Sequence, residues 1–370
     1  MTSKEAEAKS PYLWTRASPY DNWVDSTGLP VYDGHFIPDA RTIKVARWDE
    51  RECDAAFIRL AGQEGYTESR ITELRPGAQS AEVKLAFDEA IYVLDGQGMT
   101  TLRSPDGKTS RSFEWQKHSL FLVPRYAIHQ FKNMLGQKPA RLLHFNYLPL
   151  SMAGNPDPVF HFQNPFEDPA ALADPDLYSA AKVSANDEFL PGVGCWYGNF
   201  FADMRAWDKL DPNKGRGAGG SSVFIRFPKS PLWAHMSVFP PRTYKKAHRH
   251  GPGVVIVIPG GEGFSVMWRE GEEKIFIPWQ EGSVFVPPDN WFHQHFNLTG
   301  GPARYLALHS PYHFNMSAET VKDPAKDQIE YSDEDPVIRQ RFESELAKRG
   351  MTSLVPPQAY TTPGYEWKYA

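Results

Sequence analysis

Residues 241–263 read PRTYKKAHRHGPGVVIVIPGGEG, and residues 281–297 read EGSVFVPPDNWFHQHFN. Each stretch holds two histidines separated by one residue, His248 with His250 and His293 with His295. On an extended strand, residues i and i+2 face the same side. Each pair therefore presents two imidazoles on one face, which is how a sheet can offer several nitrogens to one metal ion. The runs GVVIVIP and SVFVP around them are short, β-branched and bounded by Gly and Pro, so they read as strands.

The same strand text extends in both directions. SVFIRF, WAHMSVF, FSVMW, KIFIPW and RYLALHS surround the histidine pairs. AIYVL (Ala90 to Leu94), SLFLVP (Ser119 to Pro124) and RLLHFNYL (Arg141 to Leu148) form an earlier group. Many short strands at close spacing indicate an all-β sandwich or barrel, and 32 prolines argue against long helices. The text divides into an N-terminal arm (1–54), a first strand-rich unit (55–150), a linker with a short helix and a glycine-rich loop (151–219), a second strand-rich unit (220–315) and a C-terminal helical extension (316–370). The glycine-rich loop is KGRGAGGSS, Lys214 to Ser222, and reads as mobile. In the extension, Val337, Phe342 and Leu346 recur at helical spacing, and Gly350 stands where a helix ends. The arm reads as packing over something else. With 11 Trp, 16 Tyr and 23 Phe in the chain, it points to a homo-oligomer.

Bulk composition narrows the function. Of 370 residues, 23% are charged and 41% hydrophobic, and the net charge is -5. No basic tract suits nucleic acid. No apolar run approaches the roughly 18 residues that cross a bilayer. The polar start MTSKEAEAKS has no apolar signal core. Cys53 and Cys195 lie far apart, without metal or redox spacing. A cytoplasmic protein with free thiols, no membrane partner and no nucleic-acid partner is expected.

The second unit resembles the cupin superfamily. That pattern has a Gly, five residues, His-x-His, a Glu four residues on and a Gly seven further. Its second motif is a Gly, five residues, and Pro-x-Gly-x-x-His-x-x-x-Asn. Here His248, His250 and Gly261 match, Arg242 stands at the first Gly and Val254 at the Glu; Gly282, Pro288, His293 and Asn297 match the second motif, with Asn290 at its middle Gly. The first unit, RPGAQSAEVKLAFDEAIYVLDGQG (75–98), fits the same frame: Gly77, Glu89 and Gly96 match, and Val83 and Leu85 replace the two histidines. Pro124, His129 and Asn133 follow, with His118 at the leading Gly. The resemblance implies two tandem jelly-roll barrels. The first would be degenerate and metal-free, with Glu89 and His129 as a vestigial polar pair. The second would hold a metal through His248, His250 and His293.

A narrower resemblance is to the gentisate and salicylate ring-cleaving dioxygenases. These are two-cupin proteins that bind Fe(II) on three histidines without a Glu. His248-Arg249-His250 is similar to their first motif, and Trp291, His293-Gln294-His295 and Asn297 to their second. It implies Fe(II), with Mn, Zn or Ni as alternatives, and His295 as an acid-base or orienting residue beside an anionic aromatic or dicarbonyl acid and O2. Tyr244, Trp233, His235, Trp268, Trp291 and Asn297 are candidate pocket residues. Arg226 and Arg242, with Lys245 and Lys246, are candidate carboxylate binders, although solvated surface charge is the ordinary state of each. Three readings follow: an Fe(II) dioxygenase cleaving a C–C bond, a non-redox metal-dependent isomerase, decarboxylase or lyase on a small carboxylic acid, and a non-catalytic small-molecule binder.

Overall fold

The computed structural model describes residues 18–63, 65–168, 170–179, 182–184, 194–206, 211–212, 216–311 and 326–367, with backbone alone for 182–184 and 211–212. The glycine-rich loop is described from Arg216 onward, and Lys214 lies outside the described residues. The strands form two jelly-roll barrels in tandem, each built from a large and a small sheet. In the first barrel, Glu68–Leu74, Ala140–Asn146 and Glu89–Asp95 lie at the centre of the large sheet, and Ile128–Asn133 and Gln97–Arg103 at the centre of the small one. In the second, Trp233–Phe239, Ala303–His309 and Val255–Gly260 repeat the first arrangement, and Phe292–Asn297 and Glu262–Trp268 the second.

The period-2 alternation of each strand decides what it contributes. Along Trp233–Phe239, Ala234 and Met236 join a core shared by the two large sheets. Ile58, Ile71, Tyr92 and Leu143 reach the same core from the first barrel. The intervening Trp233, His235, Ser237 and Phe239 lie on the opposite face, turned into the second barrel. Burying one face against the partner barrel is what lets the other face carry polar side chains.

The duplication is visible at its turns. A Cβ on Gly96 would lie 2.6 Å from the Ala140 Cβ, and one on Gly261 would lie 2.7 Å from the Ala303 Cβ. Both glycines have left-handed backbone, so neither position admits a larger residue without strain. Where the frame lacks its glycine, the conformation persists on other residues: His118 has φ 73°, Arg242 φ 54° and Asn290 φ 57°. Asn133 Nδ2 donates to the carbonyls of Leu74, Arg75 and Lys138, and Asn297 Nδ2 donates to those of Phe239, Pro240 and Gly301. Each Asn ties the end of one strand to the turn beside it.

The segment read as an arm is part of the sheets. A helix spans Pro19–Thr27, capped by Ser18 and ended by the left-handed Gly28. Val31–Gly34 then pairs in the first barrel, and Phe36–Ile37 pairs with Val284–Phe285 in the second. In return, Phe200–Phe201 from the connecting segment pairs with Leu120–Phe121 in the first barrel. Each added edge is fastened alike: Ser283 Oγ donates to Pro38 O and Ser119 Oγ to Ala202 O, both at 2.6 Å. The connecting segment also carries two short helices, Leu148–Gly154 and Pro158–Phe162. The terminal helix spans Pro336–Ala347, with Asp335 as its N-cap and Gly350 in left-handed backbone beyond it. Its buried stripe is Ile338, Phe342 and Leu346, whereas Val337 is 53% exposed, so the apolar face starts one residue later than the sequence spacing suggests. The helix covers the outer face of the small sheet, against Phe264 and Phe296. Among the described residues, no helix is long and apolar enough to cross a membrane. Both cysteines are free and buried.

Candidate metal centre in the second barrel

Ala247–His248 pairs with Phe292–Asn297 so that His248 stands opposite His293. His250 lies two residues on, at the end of the same extended segment. Its carbonyl accepts from Asn290 N at 3.0 Å. The three side chains thus meet at one spot, with one ligand nitrogen from each lying within 4.8 Å of the others. Ring centroids are 4.2 Å apart for His248 and His293, and 4.7 Å for His250 and His293. His250 Nδ1 is 2.8 Å from Gly251 O, and His293 Nδ1 is 3.1 Å from Trp291 O. An Nδ1–H donated to a carbonyl fixes the tautomer that leaves Nε2 with a free lone pair. His248 Nδ1 is buried and has no hydrogen-bond partner among the described residues.

All three imidazoles are held neutral. Burial is the main cause for each. For His248 the Arg216 charge adds to it, and for His293 the neighbouring His250 does. His250 is pushed down to about 4, again chiefly by burial. A neutral imidazole is the form that binds metal. Val254, at the frame's carboxylate position, is packed into the barrel's apolar core. The donor set therefore fits a divalent transition metal on three neutral nitrogens, a chemistry suited to Fe, Ni or Zn.

Deeper in the barrel lies a second polar group. His295, on the same face as His293, places Nδ1 2.8 Å from Ser265 Oγ, which also accepts from Trp279 Nε1 at 3.1 Å. Its ring centroid is 5.6 Å from that of His293 and 4.8 Å from that of Tyr305. Lys245 is only 1% exposed, and its Nζ donates to Ser237 Oγ and, at 3.2 Å, to the Tyr305 hydroxyl. Burial lowers the lysine; burial alone would raise Tyr305, but Lys245 beside it shifts the phenol downward. His235 Nδ1 meets His309 Nε2 at 2.8 Å, and both rings are held well below their usual range by burial, His235 at about 3. Arg216 contributes charge to the whole group, since it depresses His248, His250, His293 and His295.

Other residues proposed from sequence lie elsewhere. Tyr244 and Trp268 face outward from the small sheet: Tyr244 stacks on Phe296 and donates to Glu334 Oε1, and Trp268 stacks on Phe292. Asn297 and Arg242 belong to turns. Trp233 stacks on His309 with centroids 3.6 Å apart, and the Arg226 guanidinium lies over the Trp233 ring. Trp291 lines an open cleft of about 410 Å³ with His35, Tyr66, Arg269 and Asn290. Because Asn290 and Trp291 also hold His250 and His293, this cleft adjoins the histidine triad. The expectation of solvated charge fails for Arg226, Lys245 and Lys246, all buried; Lys246 pairs with Glu330 at 2.6 Å. Sequence reading missed Tyr305 and Arg216. The signal for Arg216 was the duplication: Lys246 N donates to Arg216 O as Ala81 N donates to Arg51 O, so the two arginines occupy equivalent places.

In the first barrel, Glu89 and His129 do not form a pair. Glu89 binds His144 Nδ1 at 2.7 Å, Asn146 Nδ2 at 3.1 Å and Arg70, which also grips Glu68. His129 keeps Nδ1 buried, with no hydrogen-bond partner among the described residues.

No protein-family model and no curated protein matches the chain. Among solved structures, it superposes on the formate complex of Lactobacillus farciminis oxalate decarboxylase with a TM-score of 0.50 at 14% identity, covering 79% of this chain and 90% of that one. Bacillus subtilis oxalate decarboxylase gives a TM-score of 0.49 at 14% identity over 83% of each chain. The similarity shows the fold, tandem cupin barrels. The expectation of an Fe(II) ring-cleaving dioxygenase acting on an aromatic acid with O2 is corrected by this comparison, because the Lactobacillus farciminis structure that the chain superposes on is that of a decarboxylase. The physical reason lies in the residues that carried that resemblance. Arg249, central in His-Arg-His, turns outward to Asp327 and Glu270, and Asn297 is used up on turn carbonyls. These residues serve the fold and identify no substrate.

Proposed function

We propose that the second barrel binds one first-row divalent metal through His248, His250 and His293 and acts without net redox change on a small carboxylic acid, as a decarboxylase or related lyase. The observation that carries this reading is the make-up of the interior: three neutral imidazoles converge beside the buried Lys245–Tyr305 pair and within the field of Arg216. Such an interior favours an anion and leaves it desolvated. The shared fold with an oxalate decarboxylase supports the same class. Fe, Ni and Zn suit the imidazole set, with Mn as a further candidate. A bound metal supplies Lewis-acid polarisation of the substrate's oxygens.

The protein's own groups would do the rest. Arg216 and Lys245 hold the carboxylate as N–H donors. Loss of carbon dioxide breaks the bond from the carboxyl carbon to its neighbour and leaves the electron pair on that neighbour. One proton is then required, and Tyr305 delivers it, since Lys245 beside it makes the phenol a better acid. His295, held by Ser265, spans the gap between the triad and Tyr305 and orients the substrate there.

The test is an assay of oxalate, malonate and other small mono- and dicarboxylic acids, following carbon dioxide and dissolved oxygen together. The reading expects carbon dioxide release without net oxygen consumption, and a roughly hundredfold lower kcat in Tyr305→Phe. Oxygen consumed mole for mole with product, or no carbon dioxide from any acid, would refute it.

A further inference from the structure

The first barrel keeps a small, partly open cavity of about 30 Å³, on whose wall stand the half-buried Arg51 and the buried His129 and Ser80 among Val83, Leu85 and Phe131. The Arg51 guanidinium lies over the Trp48 and Phe162 rings, 5.3 Å from each centroid. Among the described residues it has no ion pair and no side-chain hydrogen bond. The nearby carboxylates are already engaged, because Arg70 spans Glu68 and Glu89, and Glu89 also holds His144 and Asn146. His129, only 4% exposed, lines the same cavity, and among the described residues neither its Nδ1 nor the buried Arg70 Nε has a hydrogen-bond partner. Buried polar groups such as His129 Nδ1 and Arg70 Nε normally have partners, and a half-buried guanidinium beside them is suited to an anion.

We infer that the first barrel is a receptor for a short-chain monocarboxylate, whose carboxylate pairs with Arg51 and His129 and whose tail rests on Val83, Leu85 and Phe131. Size and chemistry agree on the class. One water needs about 10–15 Å³ of such space, so the cavity takes two or three waters or a carboxylate with one or two further carbons. The guanidinium fork matches a carboxylate with two parallel donors. The inference does not depend on the chemistry proposed for the second barrel.

Acetate is the probe, titrated by calorimetry into the full chain carrying His248→Ala, so that the triad of the second barrel is disabled. One acetate is expected to bind per chain. Adding Arg51→Met should weaken binding about tenfold or more. Val83→Phe, which fills the cavity and leaves Arg51 in place, should weaken it as much, and it decides the matter if Arg51→Met does not fold. Saturable binding untouched by either folded variant places acetate outside this cavity and overturns the inference. Absence of saturable binding leaves the cavity to water and overturns it equally.

Discussion

The two barrels share one frame and fill it in opposite ways. At equivalent frame positions the first barrel has Val83 and Leu85 where the second has His248 and His250, and Glu89 where the second has Val254. His129 corresponds to His293. In the first interior Arg70 lies between two glutamates, with His144 and Asn146 completing that network, and Arg51 and His129 stand apart from it. The second interior gathers neutral imidazoles, Lys245 and Arg216, and Val254 takes the carboxylate's place. An ion-pair network specifies packing, whereas neutral imidazoles beside Lys245 and Arg216 are suited to a metal and an anionic substrate. The contrast teaches that a duplicated β-scaffold fixes where side chains point and leaves open which barrel carries chemistry.

The largest effect that could break this contrast comes from the triad. His248→Ala is expected to abolish turnover and remove the bound metal, while His129→Ala in the first barrel leaves both intact. Metal content and kcat of the two variants check this. Next in size, Lys245→Met should lower kcat by about 10²–10⁴ while the chain stays folded, because it removes the group that tunes Tyr305. Circular dichroism beside the kinetics separates lost chemistry from lost structure.

In the first barrel the penalty should fall on stability instead. Arg70→Met strands two buried carboxylates and is expected to cost about 3–5 kcal/mol, measured by denaturant unfolding. His235→Ala, at the equivalent place in the second barrel, removes a neutral ring and should cost less.

The smallest effect is a difference in pH response. Burial raises Glu334 to about 7, although Tyr244 and Gln294 both donate to it. In the unfolded chain this carboxyl ionises near its ordinary value of about 4.3. The folded chain therefore binds the extra proton between about 4.3 and 7, and stability falls as pH rises through that window. Glu89 has the opposite sign: burial alone would raise it, but Arg70 and then His144 hold it well below the carboxylate range. Its contribution is present above the ordinary carboxylate pKa and is lost as pH falls below it. Unfolding curves at about pH 5 and pH 7.5 should show Glu334→Gln flattening the loss on the alkaline side.

Much of this was legible in the sequence. His-x-His spacing on β-branched text located the triad, because strand periodicity brings alternate residues to one face. The frame also matched where its glycines are missing, and Arg242 and Asn290 keep the left-handed backbone those positions need. Other parts were hidden for physical reasons. Tyr305 sits in the apolar run RYLALHS, which reads as core until strand parity shows that it faces His295. Arg216 lies in glycine-rich text that resembles a loop, and Lys245 looks like surface charge until the sheet encloses it. The ring-cleaving resemblance misled because Arg249 and Asn297 meet structural needs that are independent of substrate.

The most direct test of the account is metal analysis of the purified full chain beside its His248→Ala and His129→Ala variants. The account predicts one first-row transition metal per chain in the wild type and in His129→Ala, and none in His248→Ala. Two metals per chain, or a metal that survives His248→Ala and disappears in His129→Ala, would contradict it.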